Sequence, residues 1–183
     1  MKKTILSAAL VAVMGVVAFA PQNARASDGT ITFNGKITAQ TCTISGNGGG
    51  SSFLVQLPTV STSSLTAAAE VAGATPFPIA LSNCSPNSGN VSTYFEAGST
   101  IDLVTGNLLN VTGSAGNVEV GLLNASDSSA ISLGKAQASQ NSQTVAISSG
   151  AATLNYIAQY VATNGASTAG TVATTVTYSM SYQ

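Results

Sequence analysis

The feature that most constrains the fold of this 183-residue chain is an alternating segment at its carboxyl end. Six side chains, most of them apolar or aromatic, alternate with Ala, Thr and Ser. A period of two places each set on one face of a β-strand. We therefore expect a strand over residues 171–182 with one face against a core. That face comprises Val172, Thr174, Val176, Tyr178, Met180 and Tyr182.

A second alternating segment lies near the amino end of the chain. Thr30, Thr32, Asn34 and Lys36 alternate there with Ile31, Phe33, Gly35 and Ile37. Terminal segments lose order unless they are held in place, so two such segments indicate that both are bound into a sheet. The pattern leaves two alternatives open: either both strands belong to one intact sandwich, or one chain's N-terminal strand completes a neighbouring subunit's sheet beside its C-terminal strand.

Strand signals dominate the chain between these two ends. Short runs rich in Val, Ile, Thr, Tyr and Phe are separated by turn-forming clusters at 46–50 and 86–90. Residues 64–72 contain helix-forming residues after a Ser that can act as a cap, and predict one short helix. The fold class is all-β, with the strand count of an immunoglobulin-like sandwich. The predicted strands cover 30–45, 53–57, 77–83, 91–95, 118–124, 143–147, 153–162 and 171–182.

Composition argues against catalysis. The chain has no histidine and no tryptophan, which excludes Ser-His-Asp triads, Cys-His pairs and the common zinc sites. We therefore expect no catalytic residue, no metal and no cofactor. Charged residues make up only 6% of the chain, so its surface offers little to a nucleic acid.

Residues 1–26 have the pattern of a signal peptide. Lys2 and Lys3 precede an uncharged apolar run over 5–20, and Ala24-Arg25-Ala26 fits a signal-peptidase site with cleavage after Ala26. The run is shorter than a bilayer-spanning helix requires, so we expect export without an integral membrane anchor. Cleavage leaves two lysines and six acidic residues, a net side-chain charge of −4.

Cys42 and Cys84 are the only two cysteines. In an exported chain an even count predicts one disulfide. No Cys-x-x-Cys motif is present, so we expect a structural bridge.

Four segments together resemble pilin subunits of the chaperone/usher pathway, in the type 1 fimbrial family and of the major shaft type. The resemblance covers essentially the whole processed chain. The segments are Gly29–Ile37 leading to Cys42, Phe77–Cys84, Asn117–Leu123 and Tyr156–Ala162.

The resemblance implies an incomplete immunoglobulin-like sandwich with a groove beside its C-terminal strand. The N-terminal extension of the next subunit would fill that groove, with Ile31, Phe33, Gly35 and Ile37 on the donor face. It further implies a periplasmic chaperone, an outer-membrane usher and assembly into a surface fimbria, a homopolymer that supports cell adhesion. The implied domains are the signal peptide (1–26), the donor extension (27–37) and the pilin domain (38–183). Val176, Tyr178 and Met180 would line the groove, and the chaperone would contact Tyr182 and the carboxylate of Gln183.

Two other functions stay open at this point. A secreted monomeric adhesin domain would bind carbohydrate through its polar loops, such as 83–90 and 107–116. An exported hydrolase would use a Ser-Lys dyad around Lys36 or Lys135, since a desolvated lysine can act as a base.

Overall fold

Strands account for most of the regular structure. The computed structural model describes residues 30–35, 37 and 39–183, so the predicted signal peptide lies outside the described residues. Two single turns of 3-10 helix, Thr62–Ser64 and Gln137–Ser139, accompany the strands. The strands are β1 (Thr41–Gly46), β2 (Val71–Ser85), β3 (Gly89–Phe95), β4 (Leu108–Leu109), β5 (Val118–Asn124), β6 (Thr144–Ile147), β7 (Ala152–Ala162) and β8 (Tyr178–Tyr182).

The strands form two antiparallel sheets. Five strands follow the order β1-β2-β7-β5-β4 and three follow the order β6-β3-β8. The ladder between β2 and β7 runs from Val71 opposite Val161 to Leu81 opposite Ala152. Apolar side chains from both sheets form one core within the unit of residues 37–183. Its largest fully buried members are Tyr156, Phe95, Ile79, Leu81 and Leu133.

Strand β2 begins six residues earlier than predicted, because the ladder with β7 tolerates two prolines and a bulge. Pro76 and Pro78 pair with β7 but lie beyond the end of the β1 ladder. The carbonyl of Pro78 accepts a hydrogen bond from Asn47 on the β1 side, so the position without an N–H faces away from β7. Gly73 has φ +69° at the bulge, where a Cβ would meet the Tyr160 ring at 2.9 Å.

The predicted disulfide between Cys42 and Cys84 is confirmed. The two cysteines lie on adjacent strands, β1 and β2, and are separated by 42 positions in sequence. A closed loop of that length stabilises the fold by roughly 4 kcal/mol in the chain-entropy account. The bridge therefore holds the edge strand β1, which the N-terminal extension precedes, to the longest strand of the larger sheet.

The helix predicted over 64–72 is wrong. The Glu70 carboxylate accepts hydrogen bonds from the backbone N–H groups of Thr66 and Ala67. Ala69 has φ +70°. Such side-chain to backbone bonds compete with helix formation and hold a turn instead. The bonds from Ala67 and Thr66 lower the pKa of Glu70.

No helix within the described residues has the length and apolar character needed to cross a membrane.

Candidate functional site: an open groove between two extended segments

Two segments that were predicted as strands keep alternating burial but lie outside every ladder of the described residues. They are 53–57 and 171–177, the latter directly before β8. The alternation was therefore predicted correctly, whereas no regular ladder is formed, and residues 171–177 make only single backbone hydrogen bonds to neighbouring segments. The half-buried side chains are Phe53, Val55 and Leu57 on one segment and Val172, Thr174 and Val176 on the other.

An apolar groove of about 820 Å³ lies between the two segments. Residues 51–57 form one wall and residues 172–180 form the other. Buried core side chains from β2 and β5 form its floor, so a side chain that enters the groove would contact the core directly. The floor includes Phe77, Ile79, Val120 and Leu122.

The two walls run in opposite directions and meet at one end. The Tyr178 hydroxyl donates a hydrogen bond to the Ser51 carbonyl at 2.6 Å. The rings of Phe53 and Tyr178 pack edge to face with centroids 6.0 Å apart. Further along, Val60 and Val172 pack against the same small cluster around Leu65. The groove thus has the shape of one strand's path, closed near Tyr178.

The backbone of the C-terminal wall presents an unpaired edge to this groove. Asn90 and Gln183 exchange two hydrogen bonds, and the Glu96 N–H donates to the Thr177 carbonyl. Alternate residues of an antiparallel strand direct their N–H and C=O groups to opposite edges. The backbone groups of Val176 and Tyr178 therefore face the groove, where a further strand can bond to them.

The residues predicted for the donor face carry exposed apolar side chains. Ile31 is 80% exposed, Phe33 89% and Ile37 101%. A Cβ on Gly35 would meet nothing within 4 Å. Lys36 lies outside the described residues. That these residues act as a donor stays a prediction.

The residues predicted for the acceptor side fall into two groups. Val176, Tyr178 and Met180 line the groove. Tyr182 pairs with Val91 on β3, and the backbone of Gln183 bonds Asn90. Partial burial raises the pKa of Tyr178 and of Tyr182. Contact with a chaperone stays a prediction for all five positions.

The opposite wall was not named among the predicted site residues. Phe53, Val55 and Leu57 line the groove, and the period-two pattern of 53–57 was their only sequence signal. That pattern predicted a strand, but nothing local to it shows that the strand borders an unfilled position.

In one of the two loops considered for carbohydrate binding, the side-chain amides of Asn107 and Asn110 are used inside the molecule. The Asn110 side chain accepts from Gly113 N and Ala173 N and donates to the carbonyls of Ala115 and Thr171. Four bonds exhaust the capacity of an amide. The alternative of a carbohydrate-binding domain is accordingly not favoured.

One of the two lysines considered for a Ser-Lys dyad lies within the described residues. Lys135 is exposed in a turn. Among the residues that the structure describes, no group of three or more His, Cys, Asp or Glu side chains is placed to hold a metal ion.

A two-sheet sandwich with an unfilled strand position between two walls defines the class of incomplete immunoglobulin-like pilus subunits. The crystal structure of the P pilus rod subunit PapA shares this fold, with a TM-score of 0.61, 18% identity, and coverage of 78% of this chain and 99% of that one. The predicted fold class is thereby confirmed.

Sequence comparisons establish the family. The model of the type 1 fimbrial protein A family matches residues 57–183. The chain is 45% identical to the F17 fimbrial protein of Escherichia coli over 177 residues, which cover 93% of this chain and 97% of the relative. It is 49% identical to the major fimbrial subunit SMF-1 of Stenotrophomonas maltophilia over 174 residues, covering 91% and 99%. The chain belongs to the type 1 fimbrial protein family and is a structural subunit of an extracellular pilus.

Proposed function

We propose that this fimbrial subunit polymerises by strand donation, in which residues 27–37 of one copy enter the groove of the next. The observation that carries the proposal is the groove itself, whose walls have the burial pattern of sheet strands without pairing to each other. The donor segment supplies the matching alternation, with Ile31, Phe33 and Ile37 exposed. Strand addition to an open edge joins backbone groups by hydrogen bonds and places alternate side chains in pockets.

The energetic gain from strand donation is large on the scale of a domain. Transfer of Ile31, Phe33 and Ile37 from water to the core is worth about 1.5 to 3 kcal/mol each, hence roughly 5 to 9 kcal/mol together. Whole domains have a net stability of about 5 to 15 kcal/mol. The subunit with an empty groove is therefore marginally stable, and donation supplies much of the stability of the assembled form.

Donation at one end and acceptance at another produce a fibre. The two contact surfaces differ, so the association is heterologous and need not close into a ring. Each copy carries both surfaces, which suits a major shaft subunit in a homopolymer. The fibre belongs to the cell surface and supports adhesion.

Export and assembly need partners that protect the groove. The signal peptide of residues 1–26 directs the chain to the periplasm, where a chaperone covers the groove and contacts Tyr182 and the Gln183 carboxylate. An outer-membrane usher then exchanges the chaperone for the next donor. We expect the subunit to act through assembly alone, without catalysis and without a cofactor, metal or nucleic acid.

Deletion of residues 27–37 tests the proposal. The deleted subunit is expected to remain chaperone-bound and to form no homopolymer, as observed by electron microscopy of cells that express it with its chaperone and usher. Replacement of the segment by eleven Gly and Ser residues serves as the length control and is expected to fail likewise. Fibres of normal length from either variant would refute strand donation by this segment.

A further inference from the structure

Thr174 carries a buried polar atom that lacks a partner. Among the described residues, its Oγ1 is the one buried side-chain oxygen or nitrogen without a hydrogen bond. Buried polar groups are nearly always bonded, and an exception calls for an explanation. This exception lies in the C-terminal wall of the groove, between Val172 and Val176. Because the subunit itself encloses this atom while the groove is empty, an incoming strand can become its partner only after the Thr174 side chain turns toward the groove.

The composition of the donor segment limits what the partner can be. On the face that would enter the groove, Ile31, Phe33 and Ile37 have no polar side-chain atom. Gly35 is the one position on this face where no side chain covers the backbone, and a strand glycine permits a close approach. A peptide group at Gly35 is therefore the polar group that the donor can bring to the Thr174 hydroxyl.

The register that joins these two residues also fits the rest of the groove. With an antiparallel donor and Gly35 opposite Thr174, Phe33 lies opposite Val176 and Ile37 opposite Val172. Ile31 then falls opposite Tyr178, where the groove closes. A parallel donor with the same contact would place Ile31 opposite Gly170, outside the wall. A shift by two residues would place an apolar side chain against the hydroxyl, and a shift by one would turn the donor's apolar face away from the core.

We propose that the Thr174 hydroxyl bonds the backbone at Gly35 of a second copy and thereby fixes the register of the incoming strand. Rotation about χ1 turns the hydroxyl toward the donor while its methyl group takes the vacated position, with no change in volume. Thr174 is a specificity-determining residue in this assignment, which rests on the proposed strand donation.

The test compares dissociation rates of polymers of the processed chain in detergent. Thr174→Val keeps the shape of the side chain and removes the hydroxyl, and Thr174→Ser retains the hydroxyl. Thr175→Val is the matched control, because Thr175 is exposed on the other face of the same segment. We expect Thr174→Val polymers to dissociate about 3 to 10 times faster than wild type, as loss of one net hydrogen bond predicts. Thr174→Ser and Thr175→Val are expected to remain within about twofold of wild type.

A double-mutant comparison tests whether Gly35 and Thr174 take part in the same contact. Gly35→Ala adds a Cβ at the contact and is expected to accelerate dissociation in the wild-type background, but less in the Thr174→Val background, because the two changes disrupt one interaction. Unchanged or slower dissociation of Thr174→Val polymers overturns the assignment, since an unpartnered hydroxyl is better replaced by a methyl group. Polymers that form and persist without residues 27–37 overturn strand donation itself, and the assignment with it.

Discussion

At the scale of single residues, Tyr156 connects the two sheets. Its ring packs edge to face on Phe95 with centroids 5.4 Å apart and lies 5.7 Å from that of Phe77. Its hydroxyl shares a hydrogen bond with Ser142 Oγ at 3.0 Å. Burial outweighs this bond and raises the pKa of Tyr156. The side chain therefore resists ionisation in the folded state.

This pKa shift predicts alkaline destabilisation. An unfolded tyrosine ionises near its ordinary pKa of 10.0, whereas folded Tyr156 ionises at higher pH. Between these two values the unfolded chain holds fewer protons, so the free energy of unfolding falls as pH rises, and the contribution is fully present below pH 10. Urea titrations between pH 8 and 11 should show this decrease. Tyr156→Phe should reduce the slope, and equal slopes for the two proteins would contradict the argument.

Gln140 is a second buried residue with a structural role, because its side chain bonds the backbone of β3. It is fully buried, and its amide donates to the Phe95 carbonyl at 2.6 Å and accepts from the Phe95 N–H at 3.1 Å. The ladder between β3 and β6 ends at Ser92. The Gln140 side chain therefore replaces a neighbouring strand at the end of β3, beside the groove.

Substitution of Gln140 is expected to be costly. Gln140→Leu keeps much of the volume but leaves the N–H and C=O of Phe95 unpaired in the core, which predicts a loss of about 2 to 4 kcal/mol. The control is Gln137→Leu, since Gln137 is exposed in the adjacent 3-10 turn. It should change the free energy of unfolding by less than about 0.5 kcal/mol in urea titrations. Equal effects of the two changes would contradict the assigned role.

At the scale of elements, the pattern of strand-forming residues located two strands of the larger sheet well. The strands predicted over 118–124 and 153–162 agree with β5 and β7 to within one residue. The same pattern predicted a strand over 171–182, of which only Tyr178–Tyr182 joins a ladder. Side-chain periodicity depends on which face meets the core, whereas a ladder needs a neighbouring strand. For residues 171–177, one edge makes only single backbone bonds and the other edge faces the open position.

The donor segment should show the same alternation in its effect on assembly. Phe33→Ser removes an apolar side chain from the proposed inward face and is expected to reduce polymer yield at least tenfold. Without the Phe33 ring, each contact between two subunits loses about 1.5 to 3 kcal/mol of burial free energy. Asn34→Ser, the neighbouring change on the opposite face, should leave the yield unchanged. The amount of polymer is measured for both variants in cells that express the chaperone and usher. Similar losses for Phe33→Ser and Asn34→Ser would refute a donor strand with one inward face.

At the scale of the whole molecule, the proposed strand donation predicts that stability depends on a segment bound in the groove. A segment that binds the folded state and not the unfolded state raises apparent stability by mass action, by about 2.7 kcal/mol at 100 times its Kd. For a domain of this size that corresponds to a rise in Tm of roughly 5 to 10 °C.

Thermal unfolding of the processed subunit without residues 27–37 checks this. A synthetic peptide of residues 27–37 should raise the Tm with increasing concentration, and the same peptide with Phe33→Asp should not. Because the groove between the two walls follows the path of one strand, we expect saturation at one peptide per subunit. An unchanged Tm at millimolar peptide would contradict the view that the groove accepts this segment.

The sequence by itself determined the strand-rich fold class, the disulfide of Cys42 with Cys84 and the inward face of the C-terminal segment. These follow from local period, composition and cysteine count, which need no knowledge of neighbours. Only the tertiary structure decided that residues 51–57 form the second wall, that Gln140 completes β3 and that Thr174 lacks a partner. Each of these depends on which distant segments lie side by side, and the pairing of strands is set by the packing of the whole sandwich rather than by any single strand.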